Sequence, residues 1–209
     1  MEKLIVLNHK MGLNYDEVLS YINSVNSIET EHNIIICPSS IYLEMFVNNS
    51  FWGIGSQDVS PYLDVNHTGS ISTNMLKSMG VEYSLVGHKE VLDSKKEVKE
   101  KLEAVMDANI IPILCISSIN DMDLIKDIKH IEFIIFAYEP KVYEESKLKE
   151  IYDYLYERYN VSPCIIYGGN VNKDNINSLF KNEYLSGVLI GSISSSSKEV
   201  ISIIDSIKE

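Results

Sequence analysis

The chain has 209 residues, 45% hydrophobic and 23% charged, enough for one good-sized core and short for two. Its 18 basic residues against 30 acidic ones leave a net charge of −12, which argues against a nucleic-acid or anionic-membrane partner. Arg158 is the sole arginine, so an anion site must rely on lysine, backbone N–H groups or helix ends.

The N-terminus opens on one lysine and a strand-like run, KLIVL from Lys3, rather than a signal peptide. After Asn8-His9-Lys10, Asn14 caps a helix-like YDEVLSYINSV with Asp16 and Glu17 in its first turn. Short apolar runs follow as NIIIC from Asn33, FWGIG from Phe51 and VEYSLVG from Val81. Ser94 then caps KKEVKEKLEAVMDA, whose Val98, Leu102 and Val105 share one face. The remaining strand-like runs are IIPILC from Ile110, FIIFAY from Phe133, PCIIYGG from Pro163 and GVLIG from Gly187. Helical patterns fall at Leu148–Tyr159, Lys173–Phe180 and Ser197–Ile207, and the serine run from Ser192 to Ser197 reads as loop plus N-cap.

Each apolar run is short and rich in Ile, Val and Tyr, as in a strand buried on both faces. None approaches the roughly 20 residues of a membrane span. Cys37, Cys115 and Cys164 are odd in number and far apart, with no C-x2-C spacing for a metal, and read as buried free thiols of a cytoplasmic protein. Strand–helix alternation without a composition break predicts a parallel sheet covered by helices. An open doubly wound sheet needs a glycine-rich first turn, and the first strand ends instead in Asn8-His9-Lys10. The expectation is therefore an α/β fold, a closed (β/α)8 barrel forming a single domain over residues 1–209.

Barrel enzymes carry their chemistry at the carboxyl ends of the strands. Those ends offer Asn8 and Lys10, Gln57, Gly87-His88-Lys89-Glu90, Glu139-Pro140, Gly168-Gly169-Asn170 and Gly191-Ser192. Singly, each has a plain structural explanation: a solvated lysine, a turn histidine, a glutamate that ends a strand before proline. In a closed barrel they converge on one mouth. The last two turns also suit a phosphate, whose oxygens would meet backbone N–H groups there. A carboxylate base, a neutral imidazole and an ammonium around a phosphate suit proton abstraction beside a carbonyl, hence aldose–ketose isomerisation with no cofactor and no metal.

Asn8-His9-Lys10-Met11 resembles the N-x-K-M start of triosephosphate isomerase. Ser56–Ser60 through His67–Ser72, Met75-Leu76-Lys77, Val86–Glu90, Ala137–Pro140, Tyr167–Val171 and Gly187–Gly191 follow in the family's order across the whole chain. The resemblance implies a TIM barrel interconverting dihydroxyacetone phosphate and D-glyceraldehyde 3-phosphate. It implies Glu139 as base and His88 as electrophile, kept neutral by a helix N-terminus, with Asn8 and Lys10 at the enediolate oxygens. Glu90 would position Lys10, Gln57 would support the site, and N–H groups near Asn170, Gly191 and Ser192 would hold phosphate. Thr68 would reach across a homodimer interface.

Three departures stand out. The family's lid, V-W-A-I-G-T-G after A-Y-E-P, is replaced by Lys141-Val142-Tyr143-Glu144-Glu145. Its serine after the histidine is Lys89, and its C-I-G-E turn has become Cys115-Ile116-Ser117. Loss of the lid implies weaker phosphate binding and some elimination of phosphate. It also leaves open an isomerase of a larger phosphosugar, or a non-catalytic barrel that binds a phosphosugar or a protein.

Overall fold

The computed structural model describes residues 2–207. Eight parallel strands close into a barrel in sequence order. They are β1 (Leu4–Asn8), β2 (Asn33–Cys37), β3 (Gly53–Ser56), β4 (Tyr83–Val86), β5 (Ile111–Ile116), β6 (Ile135–Tyr138), β7 (Cys164–Tyr167) and β8 (Gly187–Ile190). The closing seam pairs Leu4–Leu7 with Gly187–Ile190. Only a residue without a side chain fits its start, since a Cβ on Gly187 would stand 1.9 Å from the Leu4 carbonyl oxygen.

Alternation along the strands divides the core in two. Val6, Ile35, Leu85, Ile113, Ile166 and Leu189 fill the barrel interior, while Ile5, Leu7, Ile36, Phe136 and Ile165 face the helices. β3 contributes glycine to the interior, and Tyr83 occupies the space: a Cβ on Gly53 would meet its ring at 2.9 Å.

Among the described residues the outer ring holds α1 (Tyr15–Asn26), α2 (Leu43–Asn49), α3 (Thr73–Met79), α4 (Lys95–Asp107), α5 (Glu145–Tyr159), α6 (Ile176–Lys181) and α7 (Ser197–Asp205). The caps expected at Asn14 and Ser94 are present: Glu17 accepts from the Asn14 N–H at 2.7 Å and Glu97 from the Ser94 N–H at 2.8 Å. Val98, Leu102 and Val105 of α4 are buried as the spacing requires, each worth about 1.5–3 kcal/mol of transfer.

Several boundaries differ from the sequence reading. α2 and α3 are seven residues each, too short to show a helical period. Between β5 and β6 the chain makes a 3-10 run, Ile119–Ile125, begun by the Asp121 carboxylate accepting from Ser117 and Ser118 N–H groups. β6 starts at Ile135 because Ile131–Phe133 forms a separate tight turn that leaves Phe133 exposed. α5 begins at Glu145 and α6 at Ile176. Ser196 caps α7, its hydroxyl accepting from Glu199 N–H, and Ser192–Ser195 is a 3-10 turn. All three cysteines are free; Cys37 and Cys115 are buried, but Cys164, at the start of β7, is only half-buried. No helix among the described residues is long and apolar enough to cross a membrane.

Candidate active site

Barrel closure brings Asn8, Lys10, His88, Glu90 and Glu139 to one mouth. β1 ends on Asn8, which is buried and whose Oδ1 accepts from the Lys10 N–H at 3.1 Å. Lys10 sits at φ 53°, in the left-handed region. That conformation is held from outside: its carbonyl accepts from Gln57 Nε2 at 2.8 Å and from Ser39 Oγ at 2.8 Å. Gln57 also donates to the Cys37 carbonyl at 3.0 Å, so one amide ties β1 to β2. The Lys10 ammonium then pairs with Glu90 from the β4 loop, and that ammonium holds the Glu90 carboxyl below its usual range.

His88 is buried at the end of β4. Its Nδ1 accepts from the Glu90 N–H at 3.3 Å, which leaves the ring proton on Nε2. Burial pushes the imidazole below its ordinary value, against the upward pull of Glu139 and Glu90, so the ring is neutral at pH 7. The donor here belongs to a turn closed by Val91 N–H on the His88 carbonyl, and α4 starts seven residues later, at Lys95. Nε2 faces Glu139 Oε1 at 3.7 Å.

Glu139 is the first residue after β6, with its side chain 8% exposed. Oε1 is buried without a hydrogen-bond partner, while Oε2 accepts from Lys89 Nζ at 3.3 Å. The neighbouring turn makes room for this carboxylate, because a Cβ on Gly168 would lie 2.6 Å from Glu139 Cγ. A Cβ on Gly169 would strike the Tyr167 hydroxyl, whereas one on Gly191 would meet Lys10 Cε at an ordinary contact distance of 3.8 Å. The tightness at Gly168 and Gly169 thus comes from protein neighbours. Asn170 takes φ 50°, its carbonyl accepting from the amides of Asn172 and Asn175. Ser192 is exposed and opens the turn after β8.

The family model for triosephosphate isomerase matches residues 3–207. The chain belongs to the triosephosphate isomerase family. As a member it is an isomerase. The triosephosphate isomerase of Wolbachia sp. subsp. Brugia malayi is 30% identical over 93% of this chain and 93% of its own length. Those of Mesomycoplasma hyopneumoniae (strain 232) and Francisella tularensis subsp. holarctica (strain LVS) are each 26% identical, covering 93% and 98% of this chain and 95% and 97% of their own lengths.

The connection from Pro140 to α5 is short, residues 141–144. The Tyr143 ring packs edge-on against Tyr167 at 5.0 Å, and its hydroxyl accepts from Asn182 Nδ2 at 3.2 Å. Val142 beside it is exposed, and Tyr143 itself stays 38% exposed. The long segment after β3 closes on itself: Ser60 N–H donates to the Ile71 carbonyl, Tyr62 stacks on His67 at 3.8 Å, and Thr68 lies exposed at the tip.

Two supports escaped the sequence reading. Ser39 stands just past β2, where Cys37-Pro38-Ser39-Ser40 carries no charged side chain to mark it. Lys101 is buried on α4 with Asp58 at 2.7 Å and Asp93 at 2.8 Å. Burial works to lower its pKa, but the two carboxylates outweigh it and the value is raised. Its signal was a lysine between Val98, Leu102 and Val105 on an otherwise apolar face.

Proposed function

We propose that this isomerase interconverts dihydroxyacetone phosphate and D-glyceraldehyde 3-phosphate through an enediolate, without a cofactor. The observation that carries this reading is the facing pair His88 Nε2 and Glu139 Oε1, 3.7 Å apart and beside Lys10. Glu139 is the base, and its unpartnered Oε1 is the oxygen free to take the carbon-bound proton. Neutral His88, with its proton on Nε2, polarises the carbonyl and moves protons between the two substrate oxygens. Lys10, with Asn8, stabilises the enediolate charge, which a preorganised ammonium does without rearrangement. Glu90 and Gln57 hold Lys10 in place. Backbone N–H groups at Asn170, Gly191 and Ser192, with the Gly168-Gly169 turn, take the phosphate.

The chain acts as a homodimer in which the loop around Thr68 enters a partner. Exposed Leu63, Val65, Met75 and Met11 support this, an apolar set on and beside that loop and the β1 end. Three unpaired cysteines fit a cytoplasmic location. The docked connection at Tyr143 favours a second reading, a larger phosphosugar admitted through a mouth that does not close.

The deciding experiment is isomerisation of D-glyceraldehyde 3-phosphate by purified protein, with Glu139→Gln as matched control. Turnover at least about 100-fold above the control supports the triose reaction. Equal rates sink the assignment of the base, and no turnover in either sends the test to longer aldose phosphates.

A further inference from the structure

One buried polar chain lies behind the mouth and has no part in the chemistry above. His9, next to Asn8, is 1% exposed and packs edge-on against Tyr21 of α1 at 4.6 Å and Phe46 of α2 at 5.5 Å. Its Nε2 lies 2.9 Å from the Tyr21 hydroxyl. That hydroxyl lies 2.7 Å from the main-chain carbonyl of Ser194, in the turn that follows β8.

The direction of both bonds is forced. A carbonyl only accepts, so Tyr21 uses its single hydrogen on Ser194. The hydrogen between His9 and Tyr21 must then belong to His9 Nε2. Burial pushes the His9 imidazole down to about 3, so the ring is neutral and Nδ1 carries a bare lone pair. Nδ1 is in fact buried without a partner. Leaving a buried acceptor unpaired is unfavourable, so the tautomer is set by the Ser194 bond rather than by the ring's own needs.

The bond matters because of what else holds the turn. Within Gly191–Ser196 the bonds are local: Ser194 N–H to the Gly191 carbonyl, Ser195 Oγ to the Ser192 carbonyl, and Ser196 N–H to the Ile193 carbonyl. Tyr21 reaches it from α1, 173 positions earlier, and ties the last strand-end turn to the first helix. The same turn rests against the β1 loop, where a Cβ on Gly12 would stand 2.4 Å from Ser195 Cβ.

We infer that His9 and Tyr21 are positioning residues for the Gly191–Ser195 turn, setting its main chain for the phosphate group of the substrate. The inference rests on the proposed phosphate site at Gly191 and Ser192. Tyr21→Phe removes the hydroxyl and keeps the ring. It is expected to raise KM for D-glyceraldehyde 3-phosphate about three- to tenfold, the worth of one hydrogen bond, with kcat within about twofold. Inorganic phosphate gives a readout free of turnover: it should raise the melting temperature of wild type and do so less for Tyr21→Phe. His9→Phe, which removes the donor, should move both readouts in the same direction, and His9→Gln, which restores an N–H donor, should recover part of the loss. The His9 pair serves as the test if Tyr21→Phe does not fold. Equal KM and equal phosphate protection in folded wild type and variant would overturn the inference alone. No phosphate protection in wild type would overturn both the inference and the phosphate site it rests on.

Discussion

Glu139 Oε1 lies 3.7 Å from His88 Nε2, buried and without a hydrogen-bond partner, while the other oxygen of the same carboxylate is held by Lys89. A buried carboxylate oxygen with no donor is unfavourable in a resting protein and useful in one that must accept a proton. The imidazole opposite is tied through Nδ1 to the Glu90 N–H, so the two groups are aimed at a common space from strands β6 and β4.

Placement of that carboxylate depends on a glycine in another loop. Gly168→Ala puts a methyl group 2.6 Å from Glu139 Cγ, and the flexible side chain must give way. A displacement near 1 Å costs on the order of 100-fold in rate. We expect kcat to fall by about that factor while the melting temperature stays close to wild type. A variant with wild-type kcat would show that Glu139 tolerates the shift.

Lys89 is 67% exposed, so its pair with Glu139 is weak and open to salt. An exposed ion pair contributes at most about 1 kcal/mol. Lys89→Met should therefore change kcat by no more than about fivefold, and wild type in about 1 M salt should behave like the variant. A much larger loss, insensitive to salt, would mean that Lys89 touches the substrate itself.

His9 makes stability fall in acid. Its folded value near 3 lies below the ordinary 6.5, so between these limits the unfolded chain binds the extra proton. The contribution is complete above about pH 6.5 and is lost as pH falls toward 3, at about 1.4 kcal/mol per unit. Urea melts of wild type and His9→Phe at pH 7 and pH 4 should show the stability gap shift in the variant's favour at pH 4. A constant gap would mean that His9 is protonated in the fold.

The proposed dimer predicts twice the 23.7 kDa chain mass by sedimentation. Val65, 96% exposed on the Thr68 loop, is the position to challenge. Val65→Glu should yield a folded monomer of reduced activity, because a buried unpaired charge is costly at an interface. A wild-type monomer at micromolar concentration would remove the dimer from the reading.

The docked Tyr143 connection predicts leakage. If the mouth stays open, the enediolate meets water and loses phosphate, so inorganic phosphate should accumulate during turnover in proportion to substrate consumed. Turnover without released phosphate would show that the connection does close.

The barrel is legible in the amino-acid order, because the features that encode it are local. A run such as NIIIC reads as doubly buried from its own composition, and Asn14 with Glu17 announces a helix start through groups three residues apart. The strand-end residues followed directly, since a parallel barrel places every strand's carboxyl end at one mouth. What those residues do to one another emerges only on closure of the barrel. Lys10 and Glu90 are 80 positions apart, Tyr21 and Ser194 are 173, and nothing periodic relates them. The donor to His88 proved to be a turn N–H because α4 begins too far along the chain, and the tightness at Gly168 proved to come from Glu139. These depend on how closure sets neighbouring loops and on which rotamers then fit, and both are properties of the closed barrel rather than of any segment within it.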